Sequence, residues 1–420
     1  MANRRVLVWV GVVAIAAFAV AFYTSVDRPG RTTKLGYYGW SDQYNYIREA
    51  RALRSGILPG SQYDYSKMKP KPSYNPKKDG PLYDYAYGLG YPALAAPMVL
   101  LGMNSDPFVI PDALLFVADI VIVVILGTRL RSLRFGVLTA AALVFATPFL
   151  KFTVVPWSTS ITALAVLVAM LVITDPKERP VAHALALGIA VGVCFAARYV
   201  DALFPAAIGG FGLLLRAPRR AAVWRTVGGA AAIAIVLALP ILWTQQVVFG
   251  SPFTTPYRHH TVDYSTASDQ SLGAFDPGRA PRSFWEVFLS GEYNGRRTQA
   301  DPMIEDFPWM VLAPVGLYAI FRTRKRDTQI AYTVASVVSV VASVFYLSFR
   351  AGTGRDLVLH SLRYYVAWVP LWALLAAYGI VYLVERYFMH RRDARAVPEL
   401  DLRSEIPEPV ATREAAKEKG

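Results

Sequence analysis

Asp42 stands near the start of a short run, Ser41 to Gly56, in which good helix formers follow a Ser/Asp opening and end at a glycine. A carboxylate in that place either caps the helix or acts as a base toward a bound hydroxyl. Glu49 falls two turns along on the same side, about 10 Å further at 1.5 Å per residue, too far for a tight carboxylate pair. Its expected role is a surface ion pair with Arg48 or Arg51. Tyr44 and Tyr46 share this run, and beyond it come Tyr63, Tyr65, Tyr74, Tyr83, Tyr85, Tyr87 and Tyr91, interleaved with Lys67, Lys69, Lys71, Lys77 and Lys78. Tyrosine joins an apolar face to a hydroxyl, which suits stacking on sugar rings and equally a belt at the water–lipid boundary. The lysines fit plain solvation, anionic headgroups or a lipid-linked phosphate.

Further along, Arg198 and Asp201 sit in a tight turn between two apolar runs. An ionisable pair at that depth is either functional or a snorkelling arginine paired with a helix cap. Arg258, His259 and His260 follow the phrase Pro256-Tyr257. Adjacent histidines are poor metal spacing for one helix face, so no metal site is expected there. Glu292, Asp301, Glu305 and Asp306 are spare carboxylates without a recognisable pattern.

The elements that must position these groups are membrane helices. Of 420 residues, 54% are hydrophobic and only 18% charged, below the roughly 25% charge of soluble domains. About ten apolar runs approach the 20 residues that cross a bilayer core of about 30 Å. They fall near 6–23, 112–128, 134–150, 158–174, 181–198, 201–215, 223–248, 307–321, 329–349 and 361–384. The first reads as an uncleaved anchor rather than a signal peptide, because its apolar run exceeds the usual signal core. Basic clusters bound several others: Arg129, Arg131 and Arg134; Lys177 and Arg179; Arg216, Arg219 and Arg220; Arg322, Arg324, Lys325 and Arg326; Arg386, Arg391 and Arg392. Ten alternating spans from a cytoplasmic N-terminus put every cluster inside, as short cytoplasmic loops require.

The stretch 87–101 is apolar too, but it is short and carries Pro92 and Pro97. Counted as a span it would turn Arg129, Arg131 and Arg134 outward, so it reads as an interfacial or re-entrant helix. Two long outer segments remain, about 25–111 and 249–306. The membrane domain covers 1–390, and 391–420 is a polar tail expected to be disordered and cytoplasmic. Cys194 is the single cysteine, which excludes an intrachain disulfide. The net charge of +14 divides between inner clusters that set orientation and outer segments that do not need it, so it is no nucleic-acid signature.

At these residues the chain resembles the GT-C superfamily of polytopic glycosyltransferases, in particular its protein O-mannosyltransferase and aminoarabinose transferase branch. The resemblance rests on Asp42, Tyr46, Ala50, Arg51 and Gly56 after the first span; on Gly90-Tyr91-Pro92 running to Gly102; on Phe249 to Tyr257; and on Arg363-Tyr364-Tyr365 with Pro370. It covers roughly residues 1–385. Many relatives have Asp-Glu where this chain has Asp42-Gln43.

The resemblance implies an all-α, GT-C-like membrane fold that passes a sugar from a polyprenyl phosphate to an acceptor at the extracytoplasmic face. Asp42 matches the family's catalytic acid position and is the expected general base. The leaving phosphate needs cations, for which Arg363, Arg258, His260 and Arg198 are the candidates. Tyr44, Tyr46, Tyr91 and Tyr257 are candidate sugar or acceptor contacts. No cofactor or divalent metal is indicated beyond the donor itself, and the partners are membrane lipid, the lipid-linked sugar and a glycan, lipid or protein acceptor. Two other classes stay open: a lipid-linked sugar flippase or transporter, and a polysaccharide polymerase or ligase. Against the transporter stands the absence of a visible inverted repeat.

Overall fold

The structure, a computed structural model, describes residues 2–26, 41–64, 69–79, 88–103, 106–145, 149–153, 157–217, 220–255, 277–293, 296–297, 302–348 and 364–395. In chain order the helices are α1 (Ala2–Val26), α2 (Ser41–Arg54), α3 (Pro76–Asp79), α4 (Gly90–Leu100), α5 (Val109–Leu130), α6 (Leu133–Phe145), α7 (Phe149–Thr153), α8 (Thr159–Ile173), α9 (Pro180–Ala197), α10 (Leu203–Arg216), α11 (Ala221–Phe249), α12 (Ala280–Phe284), α13 (Met303–Asp306), α14 (Ala313–Thr323), α15 (Arg326–Leu347) and α16 (Val369–Arg395). Two small antiparallel hairpins lie between them, Tyr63–Asp64 on Lys69–Pro70 and Glu292–Tyr293 on Arg296–Arg297.

A helix stands at each of the ten positions expected to span. Among the described residues five are long and apolar enough to cross a membrane: Val109–Leu130, Pro180–Ala197, Ala221–Phe249, Arg326–Leu347 and Val369–Phe388. α1, α6, α8 and α10 contribute shorter apolar stretches. The result is a multi-pass membrane protein, and its surface agrees. Ile235, Val236, Leu239 and Trp243 of α11 are all more than half exposed, a band that water would not tolerate but lipid would. α4, with 11 residues and Pro97 inside, is about 16 Å long at 1.5 Å per residue and too short to span.

Helix ends follow local chemistry. Pro180 begins α9, where its missing N–H costs nothing. Gly250 stops α11 in the left-handed region, with φ of 74°. α16 runs on to Arg395, past the start of the stretch read as tail.

Packing divides into layers. A large cluster joins α1, α5, α6, α8, α10, α15 and α16 around Phe116, Ile120, Leu126, Met170 and Trp368. A second, smaller cluster sits at one end of the bundle and gathers Tyr46, Ala50, Tyr91, Phe108, Ile161, Cys194 and Ala197. It forms because Gly88 and Gly90 let the start of α4 meet the end of α9. A Cβ on Gly90 would lie 2.7 Å from the backbone carbon of Ala196.

Candidate functional site

The starts of α2, α4, α5, α8 and α10 meet the ends of α9 and α15 at that same end of the bundle. α9 ends at Ala197, where Arg198 turns to an extended backbone (φ −151°, ψ 98°) and its N–H stays on the Cys194 carbonyl at 2.7 Å. Its guanidinium Nε donates to Asp201 Oδ2 at 2.5 Å. Nη1 reaches Ser158 Oγ at 3.5 Å and Nη2 reaches the Tyr346 hydroxyl at 3.4 Å, both longer than an ordinary N–H···O bond. The guanidinium carbon lies 5.2 Å from the centre of the Tyr364 ring, which stacks on Tyr346 at 4.5 Å and 10°.

Asp201, 3% exposed, takes further donors. Thr162 Oγ1 donates to Oδ2 at 2.7 Å, and the Tyr346 hydroxyl donates to Oδ1. Three donors, one of them the Arg198 guanidinium, fix this carboxyl group in place, the kind of partnering that a buried acidic side chain requires. Cys194 Sγ sits behind, 3.9 Å from Thr162 Oγ1, as a small apolar filler.

The network reaches α2 through one side chain. Ser158 stands at the N-cap position of α8 but makes no capping bond there; its hydroxyl pairs with the Tyr46 hydroxyl at 2.9 Å instead. Tyr46 packs edge-on to Tyr91 at 5.0 Å, and Tyr91 stacks on Phe108 at 4.5 Å. The Tyr91 hydroxyl donates to Asp112 Oδ1 at 2.6 Å, in the first turn of α5. Tyr46 and Tyr91 are 3% and 0% exposed, so both form the floor under α2 rather than an open surface.

Glu49 is only 1% exposed and so does not sit at the surface where an ion pair with Arg48 or Arg51 was expected. With Tyr46 it marks the inward face of α2. Position 42 lies in the first turn of the same helix. The side chains of Asp42 and Tyr44 lie outside the described set. Tyr257, Arg258, His260 and Arg363 lie outside the described residues altogether.

Of the expected site residues, then, the structure brings Tyr46, Tyr91 and Arg198 into one connected network and places α2, with Asp42 in its first turn, on top of it. Ser158, Thr162, Tyr346 and Asp112 are partners that sequence reading passed over, while Tyr364 entered only as part of the Arg363-Tyr364-Tyr365 motif. Asp112 carried a usable signal, an acidic residue opening an otherwise apolar span. The same signal marks Asp119, two turns deeper in α5, fully buried, with neither oxygen hydrogen-bonded among the described residues. Ser158 and Tyr346 carried no such signal. Among the described residues no three of His, Cys, Asp and Glu converge as metal ligands.

In the segment after α11, Trp285–Ser290 winds as a π-helix, and Glu286, 7% exposed, accepts from Arg282 Nε at 2.9 Å. Phe288 of this turn meets Tyr365 edge-on at 5.0 Å, which ties the segment to the start of α16.

The sequence matches no protein-family model and no curated protein. The fold, however, is similar to solved structures of an archaeal oligosaccharyltransferase from Archaeoglobus fulgidus. The apo form has a TM-score of 0.54 at 13% identity, over 93% of this chain and 52% of that one. The same enzyme, AglB, in complex with an inhibitory peptide and a dolichol-phosphate, has a TM-score of 0.54 at 11% identity, over the same shares. This chain therefore spans about half the length of the proteins it resembles. At such identity the likeness is one of fold alone.

Proposed function

We propose that this chain is an integral-membrane glycosyltransferase that moves a sugar from a polyprenyl phosphate to an acceptor hydroxyl at the end of the bundle holding α2 and Arg198. The observation that carries this reading is the buried Arg198–Asp201–Tyr346 network, joined through Ser158 and Tyr46 to the helix that bears Asp42. Fold likeness to an enzyme seen with a dolichol-phosphate supports a lipid phosphate as the donor's leaving group. The protein O-mannosyltransferase and aminoarabinose transferase branch is the finer assignment, resting on the sequence motifs alone.

In this reading Asp42 is the general base. It takes the proton of the acceptor hydroxyl as that oxygen attacks the anomeric carbon. The bond from that carbon to the phosphate oxygen breaks, inverting the centre, and polyprenyl phosphate leaves with the electron pair. Developing phosphate charge needs cations in a site poor in water. Arg198, whose Nε donates to Asp201, is the candidate cation within the network; Arg258, His260 and Arg363 are the further candidates. Tyr44 and Tyr257 would contact sugar or acceptor directly, with Tyr46 and Tyr91 holding α2 in place from below. The active face is extracytoplasmic and both termini cytoplasmic, by the distribution of basic clusters.

Asp42→Asn, expressed at wild-type level, should lose 10²- to 10⁴-fold in transfer from a polyprenyl-phosphate monosaccharide, the usual span for a general base. Retained transfer would remove Asp42 from the mechanism.

A further inference from the structure

The far end of the bundle, reached along the 18 residues of α9 or about 27 Å, holds a second cluster of charge that the proposed reaction does not use. A cavity of about 110 Å³ opens there between the α8–α9 turn, the end of α10 and the starts of α11 and α15. Lys177, Arg179, Arg216 and Arg220 line it against three carboxylates. Those carboxylates are already engaged. Asp327 accepts from Arg216 Nε at 2.9 Å, Glu178 pairs with Arg220, and Asp175 is held by His183 Nε2 at 3.1 Å and Arg129 Nη2 at 3.7 Å. Lys177 and Arg179 make no ion pair among the described residues, so the lining keeps an excess of positive charge.

Two further features point the same way. α9 and α11 both begin at this cavity, at Pro180 and Ala221, and neither has a side-chain hydrogen bond capping its N-terminus. Apart from Pro180, which has no N–H, and Val223, whose N–H is on the Arg220 carbonyl, uncapped helix starts present N–H donors and the positive end of a dipole, which together favour an anion. Exposed apolar side chains stand at the level of the cavity on the same helices: Val181 is 74% exposed, Trp224 57% and Leu215 56%. Each adjoins a lining residue in sequence, namely Pro180, Val223 and Arg216.

A small cationic cavity bordered by exposed apolar side chains at the end of membrane helices fits an amphiphile with an anionic head. A freely soluble anion would have no use for the apolar border; acyl chains would. We propose that this cavity binds the phosphate of an anionic membrane lipid, with its chains lying along Val181, Leu215 and Trp224. Basic pockets between helix ends are a general means of holding such headgroups.

The test uses the full chain in nanodiscs of phosphatidylcholine with and without phosphatidylglycerol, with bound lipid counted by native mass spectrometry. Lys177→Gln/Arg179→Gln removes two exposed cations and should weaken phosphatidylglycerol binding roughly 30-fold, at about a factor of five per charge. Arg134→Gln/Arg386→Gln removes two exposed cations at the same end but outside the cavity, and should change binding less than about threefold. Equal losses in both variants would mean general surface attraction and would overturn the site, as would no loss in the first. A second arm titrates inorganic phosphate onto the protein in phosphatidylcholine alone and follows the unfolding midpoint. Phosphatidylglycerol should raise that midpoint and phosphate should not. If phosphate alone reproduces the rise, the lipid assignment fails.

Discussion

Arg198 Nε donates to Asp201 Oδ2 across 2.5 Å, the two residues facing each other over the turn between α9 and α10. Both side chains are nearly out of water, at 13% and 4% exposed. Removing one partner of such a pair strands the other charge, which costs about 3–5 kcal/mol, whereas removing both does not. Arg198→Ala is therefore expected to lose stability by about that amount, and Arg198→Ala/Asp201→Ala to recover part of it. A double-mutant cycle on unfolding in mild detergent checks this. Additive losses would show that the two residues are not coupled.

Tyr91 carries a different load. Its ring stacks on Phe108 while its hydroxyl reaches Asp112, so Tyr91→Phe keeps the packing and removes only the donor. A hydrogen bond to a buried charged group contributes about 1.5–3 kcal/mol. The unfolding midpoint should fall accordingly, with far-ultraviolet circular dichroism unchanged below it. An unchanged midpoint would mean that other contacts of Asp112 suffice.

Two glycines make a matched pair. A Cβ on Gly316 of α14 would come within 1.8 Å of the Leu375 carbonyl oxygen in α16, and the backbone itself would have to move. Gly210 of α10 has nothing within 4 Å of the same position. Gly316→Ala should destabilise by about 1–3 kcal/mol or more through overpacking. Gly210→Ala should be neutral or stabilise by up to about 1 kcal/mol, as a helix interior gains from alanine. Thermal midpoints of the two variants measured side by side decide it.

Asp175, in the turn outside α8 and α9, has its carboxyl held below the usual carboxylate range. Burial alone pushes it up, but the Lys177 backbone N–H, the His183 ring and Arg129 outweigh that. A depressed folded-state value stabilises the fold fully above the unfolded value of about 3.9, and that contribution fades as pH falls through the lower folded value. The stability difference between wild type and Asp175→Asn should thus be constant from about pH 5 to 7 and shrink below about pH 4. A difference that grew on acidification would reverse the sign and refute the assignment.

By sequence alone this chain was legible as a set of apolar helices. Apolar runs, basic clusters and the two prolines in 87–101 are local signals, and lipid thickness converts them directly into element lengths. α2 was legible for the same reason: a Ser/Asp start, helix formers and Gly56 all act within a few residues. The site was legible only as separate pieces. Arg198 with Asp201 and the Tyr91 segment each drew attention by residue type, but nothing local says that Tyr91 reaches Asp112 across 21 positions, Tyr46 reaches Ser158 across 112, or Tyr346 reaches Asp201 across 145. Serine, threonine and tyrosine are common and uncharged, so their sequence context does not distinguish a solvated hydroxyl from one closing a buried network. Which hydroxyl meets which carboxylate depends on how closely the helices approach, and there Gly88 and Gly90 against Ala196 and Ala197 set the distance. Tertiary packing also took Glu49 from an expected surface position into the interior, on a helix that packs against α4.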